Sequence, residues 1–485
     1  MSQFQEIEHF QPASSTYHLL PFRFSPLHQE KYLLTNLAGE YLIAERPILL
    51  DLLAHRLSPE HPTYRMLRAR HFLTDECTSI APTLLSIKLR TRHRWLSEFT
   101  GLHLFVVTLR CEHACPYCQV SRRSEDAVRY DMTPEMASAA LALALRSPSR
   151  HIKIEFQGGE PLLNFPLIQL IVREAESRNQ KLGKQLAFVI ATNLALIDEE
   201  MLRFCRDHCI QISTSLDGPK DLHNANRPRP GGDSYERTIR GIALAREVLG
   251  HEGVSALMTA TEASLPRVRD IIDEYMAQEF RGVFLRPLSP YGFAMKTRSY
   301  EAYNTDRWLD FYRQGVDYII ELNRQGHDVT EYYAALILKK MLTSEDPGYV
   351  DLMSPAGIGI GALVYNYDGS VYASDESRML AEMGKAEFKL GDVFTHTYED
   401  ICTSPKLLNA LEDSFAFSSP MCHDCAFEPY CGSDPVYHFA LSDDYVGRKP
   451  ESEFCHRNME TFRYLILKME SDPFVKALFM KWANR

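Results

Sequence analysis

What this chain lacks narrows its class before any motif is considered. No apolar run in its 485 residues reaches the ~18 that cross a bilayer, which argues against a membrane-spanning protein. The opening stretch, MSQFQEIEHFQPASS, has neither the basic nor the apolar segment of a secretory signal, so a cytoplasmic location is expected. There is no internal repeat and no low-complexity tract. Basic residues are outnumbered: 53 Lys and Arg against 64 Asp and Glu leave a net charge of −11, which speaks against nucleic acid as the main partner.

What is present is a globular composition, 45% hydrophobic and 24% charged. The chain is too long for one ordinary core, so two or three domains are expected. From about Leu102 short apolar runs alternate with amphipathic stretches. The runs lie at 102–110, 151–159, 185–193, 211–218, 254–262 and 282–290. Between them TPEMASAALALALRS reads as a helix with Thr133 as N-cap and Pro134 at its first position. DEEMLRFCRDH, DSYERTIRGIALAREVLG and SLPRVRDIIDEYMAQE are further helices. Six strand–helix units with continuous apolar strands predict an α/β protein: a parallel sheet covered by helices, with six units making an open, partial TIM barrel.

In front of this core, HLLPFRFSPL, YLLTNL and EYLIA read as strands, with a turn at Ala38-Gly39, and ERPILLDLLAHRL and TYRMLRARHFL as helices. KLRTRHRW (88–95) reads as a solvated basic connector. Behind the core, 304–345 is helical, and from about 350 short strands, turns and cysteines take over. The domain boundaries predicted are 1–95, 96–300, a helical bridge at 301–349, and 350–485.

Three thiols crowd LRCEHACPYCQVSRR: Cys111, Cys115 and Cys118, with no fourth nearby. In a reducing compartment such clusters read as metal ligands or catalytic groups rather than disulfides. CxxxCxxC does not match the paired spacing of most zinc fingers. Three thiolates suit a 4Fe-4S cube with one iron left open. A structural zinc site and incidental core thiols are the other readings. A second group, MCHDCAFEPYCGSDP, supplies Cys422, Cys425 and Cys431, with Cys455 beyond; CxxC with two further thiols is also a zinc pattern.

With CxxxCxxC after the first strand and GGEP after the second, the chain resembles the radical SAM enzymes. That resemblance implies that the open iron binds S-adenosylmethionine and that its cleavage yields a 5′-deoxyadenosyl radical. It implies further that Tyr117 packs near the adenine. Gly158, Gly159, Glu160 and Pro161 meet the methionine amino group, and Asn193, Ser215 and Asp217 lie at the cofactor-facing edge. Arg227 meets the cofactor carboxylate. Ser215 and Arg227 taken singly also read as turn and surface residues. A reductant such as flavodoxin or ferredoxin is implied as well.

The second cysteine group resembles the SPASM extension of peptide-modifying members, which holds two auxiliary clusters. Here Ser374 stands at one cysteine position, Pro435 at another, and 353–359 has none. The missing ligands all belong to the first auxiliary cluster. The resemblance therefore implies two 4Fe-4S clusters in total, the auxiliary one on Cys422, Cys425, Cys431 and Cys455. Asp375 follows the vacated position and is the candidate general base, with an Asx-type turn as its structural reading and Glu376 as the weaker candidate.

The front segment resembles a winged-helix leader-recognition domain, which would bind a peptide by strand addition; a structural cap is the other reading. CPYCQVSRR, YNYDGSVYASDESRML and YLLTNLAGEYL are similar to the radical SAM maturases of the His-Xaa-Ser peptide systems. This implies a ribosomally made precursor peptide as substrate, a partner maturase and an oxidative crosslink. A sulfatase-maturase-like oxidation of Ser or Cys in a protein, and a non-catalytic zinc-dependent peptide-binding module, are the alternatives. Cys77, Cys205, Cys209 and Cys402 read as structural thiols, buried for the 205/209 pair. His113 has no assigned role. Arg286 points toward the expected cavity.

Overall fold

Alternation within the front strands explains how that segment joins the rest. The computed structural model of the chain describes residues 17–75, 79–123 and 126–485; the amino-terminal stretch read above and Cys77 lie outside them. Strands β1 (Phe22–His28), β2 (Lys31–Asn36) and β3 (Tyr41–Glu45) form an antiparallel sheet. On β2, Leu34 faces a small core with Leu42, Leu49, Leu52, Leu67 and Phe72. Its neighbour Leu33 points the other way, into the main core, as period-two side chains must.

The predicted basic connector is corrected here. Residues Ile80–Arg92 form a helix, and Arg92 is 5% exposed. Its guanidinium donates to Ala38 O at 3.1 Å, to Lys340 O at 2.9 Å and to Pro429 O. Three carbonyls from three distant segments satisfy a buried cation, which makes Arg92 a structural pin.

Six parallel strands follow as read: β4 (Leu102–Thr108), β5 (His151–Gly158), β6 (Gln185–Thr192), β7 (Ile210–Ser215), β8 (Val254–Thr259) and β9 (Leu285–Arg286). Helix Pro134–Arg146 starts at the predicted cap, with Thr133 accepting from Met136 N. The sixth strand is shorter than read. Gly282–Val283 pairs instead with Thr330–Glu331, and buried Glu331 accepts from Leu285 N at 3.0 Å, which divides the run.

The sheet continues past the barrel. β10 (Ala362–Tyr365) lies parallel to β4, and β11 (Ser370–Tyr372) and β12 (Lys389–Asp392) extend it antiparallel. The result is a nine-stranded sheet that carries the 374–379 segment to the edge of the barrel's interior. On β5, Ile152, Ile154 and Phe156 are buried toward the helices. Lys153, Glu155 and Gln157 line the interior cavities instead.

Candidate functional site

The cysteine loop leaves β4 at Thr108, and a close crossing of two backbones holds its base. Gly159 N donates to Thr108 O at 2.9 Å and Glu160 N to Arg110 O at 2.7 Å. A Cβ on Gly158 would stand 1.9 Å from Thr108 O, and one on Gly159 2.2 Å from Arg110 O. The glycine pair is therefore required by packing, independently of any cofactor. Arg110 locks the crossing through two 2.7 Å bonds to Asp131.

At the far side of the loop, Phe293 N donates to Cys118 O at 2.7 Å. Gly292 adopts φ +59°, and a Cβ there would lie 2.3 Å from Gln119 O. Sequence reading missed this residue; the turn signal SPYGF after the sixth strand marks it.

A cavity of about 260 Å³ opens at the carboxyl ends of β4–β8. Cys111, Cys115, Cys118 and Tyr117 form one wall, and Gly158, Gly159, Asn193, Ser215 and Arg227 the next. Arg286 and Asp375 line it as well, brought from distant parts of the chain. Three polar atoms of residues lining it, Gln119 Nε2, Arg122 Nε and Thr214 Oγ1, are buried with no protein partner. Buried polar groups without partners are rare and point to a missing ligand. Three thiols, a guanidinium and orphaned donors fit an iron–sulfur cluster with a polar, charged cofactor beside it.

Three of the candidate residues lie behind the cavity wall. Glu160 is fully buried; its carboxylate accepts from Leu162 N at 3.0 Å, Thr192 Oγ1 at 2.6 Å and Asn193 N at 2.8 Å. Burial, then the nearby Glu112, pushes its pKa up to about 8. It braces the ends of β5 and β6. Pro161 is buried beside it. Asp217 accepts from Tyr117 OH at 2.5 Å and from Arg227 Nε at 2.9 Å, so it orients both cavity-lining groups. Arg227 also stands 5.6 Å from the Tyr117 ring centre.

His113 is buried with Nε2 2.8 Å from Ser234 Oγ and Nδ1 3.0 Å from Glu112. The thiols follow the reading except one: Cys205 is buried, but Cys209 is exposed, at φ +53°. A turn at the helix end carries Cys209 out of the apolar layer. Cys402 packs partly buried against the main core.

Ser374 caps helix Asp375–Ala381, its Oγ accepting from Ser377 N while Ser377 Oγ donates back to Ser374 O. This places Asp375 in the first turn, at the cavity, with Arg378 bonded to Oδ1 at 3.1 and 3.2 Å. A second cavity of about 370 Å³ shares Glu155, Gln157, Leu257, Arg286 and Asp375 with the first and adds Phe284, Tyr349, Asp351 and Glu376. Burial, then Asp351 and Asp375, pushes the Glu376 carboxyl up to about 8. Arg286 lies 3.9 Å from it.

The other four cysteines are placed by a loop and a helix. Cys422, Cys425 and Cys431 lie on the 421–432 loop, and Cys455 in the first turn of helix Glu453–Ser471, whose N-cap Ser452 accepts from Cys455 N. All four thiols are pushed up first by burial, and Cys425 also by the other three.

Comparison with known proteins bears on the barrel. Residues 105–263 match the Radical SAM superfamily. The chain carries a radical SAM domain. That family implies a 4Fe-4S cluster and S-adenosylmethionine, and the cavity's donor set fits both. Among curated relatives, the cysteine-type anaerobic sulfatase-maturating enzyme of Clostridium perfringens (strain 13) is 23% identical over 337 residues, 66% of this chain and 84% of its own. An uncharacterized protein of Methanocaldococcus jannaschii is 29% identical over 190 residues, 39% of this chain, and the chain spans 63% of that relative's length. Among solved structures, native anSMEcpe with bound AdoMet superposes with a TM-score of 0.63 at 19% identity, over 79% of this chain and 99% of that one. Streptococcus suis SuiB bound to precursor peptide SuiA gives 0.53 at 14%, over 90% and 98%. The chain is thus similar in fold to anSMEcpe and to SuiB, a protein seen bound to its precursor peptide.

Proposed function

We propose that this protein is a radical SAM maturase that installs an oxidative crosslink on a ribosomally made precursor peptide, one of the His-Xaa-Ser type. The observation that carries this reading is the shared cavity. Cys111, Cys115 and Cys118 line it together with Arg286 and Asp375, and it shares Arg286 and Asp375 with a second cavity of about 370 Å³. When bound, the cluster and S-adenosylmethionine supply a 5′-deoxyadenosyl radical that removes a hydrogen atom. Arg227, oriented by Asp217, binds the cofactor carboxylate, with Tyr117 beneath it. Gly158, Gly159 and Asn193 offer backbone and amide groups to its amino end. Asp375 takes the proton released as the new bond closes.

The four cysteines Cys422, Cys425, Cys431 and Cys455 hold the auxiliary 4Fe-4S cluster in this reading. Cys425 lies near enough to the other three for their charges to raise its pKa, which supports one shared metal site. The front unit serves as the leader-recognition domain, offering an edge of its three-stranded sheet. Flavodoxin or ferredoxin is the reductant, and a partner maturase acts alongside. A sulfatase-maturase-like oxidation of Ser or Cys draws support from the 0.63 superposition. Ser374, committed to capping its helix, leaves that reading without the first auxiliary cluster's ligand.

The test is anaerobic reconstitution. About eight irons per chain, halved in Cys115→Ala and in Cys422→Ala, and release of 5′-deoxyadenosine, lost in Cys115→Ala, support the assignment. Mass spectrometry of a co-expressed neighbouring peptide then separates the products. Loss of two hydrogens with no aldehyde indicates a crosslink, whereas an aldehyde indicates the sulfatase-maturase chemistry. A zinc-loaded protein that leaves S-adenosylmethionine intact would overturn the proposal.

A further inference from the structure

Asn458 sits on helix Glu453–Ser471, three residues after Cys455, and is 1% exposed. Its two amide functions are both used. Nδ2 donates to Cys431 Sγ at 3.5 Å, and Oδ1 accepts from Tyr333 OH at 3.2 Å. The opposite amide orientation would set an oxygen against a ligating sulfur that has no proton to give. Tyr333 therefore holds the donor toward the sulfur.

The contact continues to the substrate end of the barrel. The Tyr333 ring packs on Phe284 at 5.6 Å and edge-on to Tyr349 at 6.3 Å, and those two rings lie 5.9 Å apart. Phe284 and Tyr349 both line the second cavity, beside Arg286, Asp375 and Glu376. An unbroken series of hydrogen bonds and ring contacts thus runs from Cys431 to the wall of the cavity in which Asp375 stands. An apolar side chain at 458 would leave both the Tyr333 hydroxyl and Cys431 Sγ without this partner.

Hydrogen bonds to the sulfurs of an iron–sulfur cluster stabilise its more negative, reduced state and so raise its potential. We propose that Asn458 is a positioning residue that raises the reduction potential of the cluster held by Cys422, Cys425, Cys431 and Cys455. With Tyr333 it forms the route by which an electron leaves the substrate cavity for that cluster. The inference rests on reading those four cysteines as a 4Fe-4S site. The balance is complete. A substrate C–H bond loses a hydrogen atom to the cofactor radical, and a substrate X–H bond breaks as C–X forms. Its proton would go to Asp375, and the one electron released would pass to the oxidised cluster that Cys422, Cys425, Cys431 and Cys455 would hold. An external one-electron carrier of the flavodoxin or ferredoxin class takes that electron onward.

The experiment is a redox titration, followed by electron paramagnetic resonance, of the anaerobically reconstituted full chain and its Asn458→Leu and Tyr333→Phe variants, with iron counted in each. Both variants are expected to keep the parental iron content. The auxiliary signal should shift to more negative potential in Asn458→Leu and, by less, in Tyr333→Phe, while the signal from the 111–118 site stays put. A merely structural role would lower iron or stability without moving the potential of the loaded protein. Unchanged potentials in the loaded variants overturn the inference. A parent chain that binds iron for one cluster only overturns the underlying reading of the cysteines instead, and the two failures are told apart by the iron count of the parent.

Discussion

Asp375 differs from the other cavity residues in what its carboxylate still has free. Oδ1 is held by Arg378, and Asp375 lines both cavities. Asp375→Asn keeps the shape and removes the base. The expected result is unchanged release of 5′-deoxyadenosine with loss of peptide product, checked by chromatography and mass spectrometry of one reaction; full product formation removes Asp375 from the mechanism. Glu376 beside it makes a different prediction. Burial, then Asp351 and Asp375, raises its pKa to about 8, against ~4.3 in the unfolded chain. The folded protein therefore binds more protons in that window, and stability falls as pH rises from about 5 to about 8. Asp434, raised to about 7 by burial and then Asp351, contributes in the same direction. Glu376→Gln should flatten the slope without abolishing it, as measured by denaturant unfolding across that range.

At the scale of elements, the cysteine loop owes its shape to the segments that cross it. Gly292 carries the 290–297 segment over Cys118 and Gln119 at a backbone angle that costs other residues ~1–2 kcal/mol, with a carbonyl where a Cβ would go. Gly292→Ala should displace the loop, lowering the iron bound at 111–118 and the melting temperature, while the second thiol group keeps its metal. Helix Asp375–Ala381 is seven residues long and too short to stand alone. Its reciprocal Ser374–Ser377 cap sets where Asp375 points. Ser374→Ala should cost about 1 kcal/mol, measured by unfolding, and should lower product yield more than cofactor cleavage.

Over the whole molecule, the front sheet buttresses the 421–432 loop. Arg23 donates to His423 O and pairs with Glu428 at 2.8 Å. Thr35 Oγ1 donates to Ala426 O at 2.7 Å, and Tyr430 OH to Gly39 O at 2.8 Å. Both members of the Arg23–Glu428 pair are nearly buried, at 6% and 11% side-chain exposure. Removing one partner of such a pair costs ~3–5 kcal/mol, because the other charge stays buried. Arg23→Ala should therefore strip iron from the second thiol group while the 111–118 site and its cofactor cleavage survive, as iron counting and 5′-deoxyadenosine assays would show. A strand-adding peptide on the front sheet would act on the same loop.

The barrel was legible because its strands are short, apolar and evenly spaced, and because Thr133-Pro134 marks a helix start. The site was legible where chemistry is local: three thiols within eight residues can gather without help from the rest of the chain. Other features depended on contacts hundreds of residues apart. Arg92 looked like a solvated charge until Ala38, Lys340 and Pro429 closed around it. Glu160 and Asp217 are drawn into hydrogen bonds with Thr192, Asn193, Tyr117 and Arg227, because only packing decides which side of a wall a carboxylate faces. The Asn458 link to Cys431 has no signature in sequence at all. The order of residues determined the elements and the thiol spacing, since both follow from neighbours along the chain. Which polar groups were buried, paired or left facing the cavity was decided by the tertiary structure, because desolvation and hydrogen bonding depend on what arrives from elsewhere.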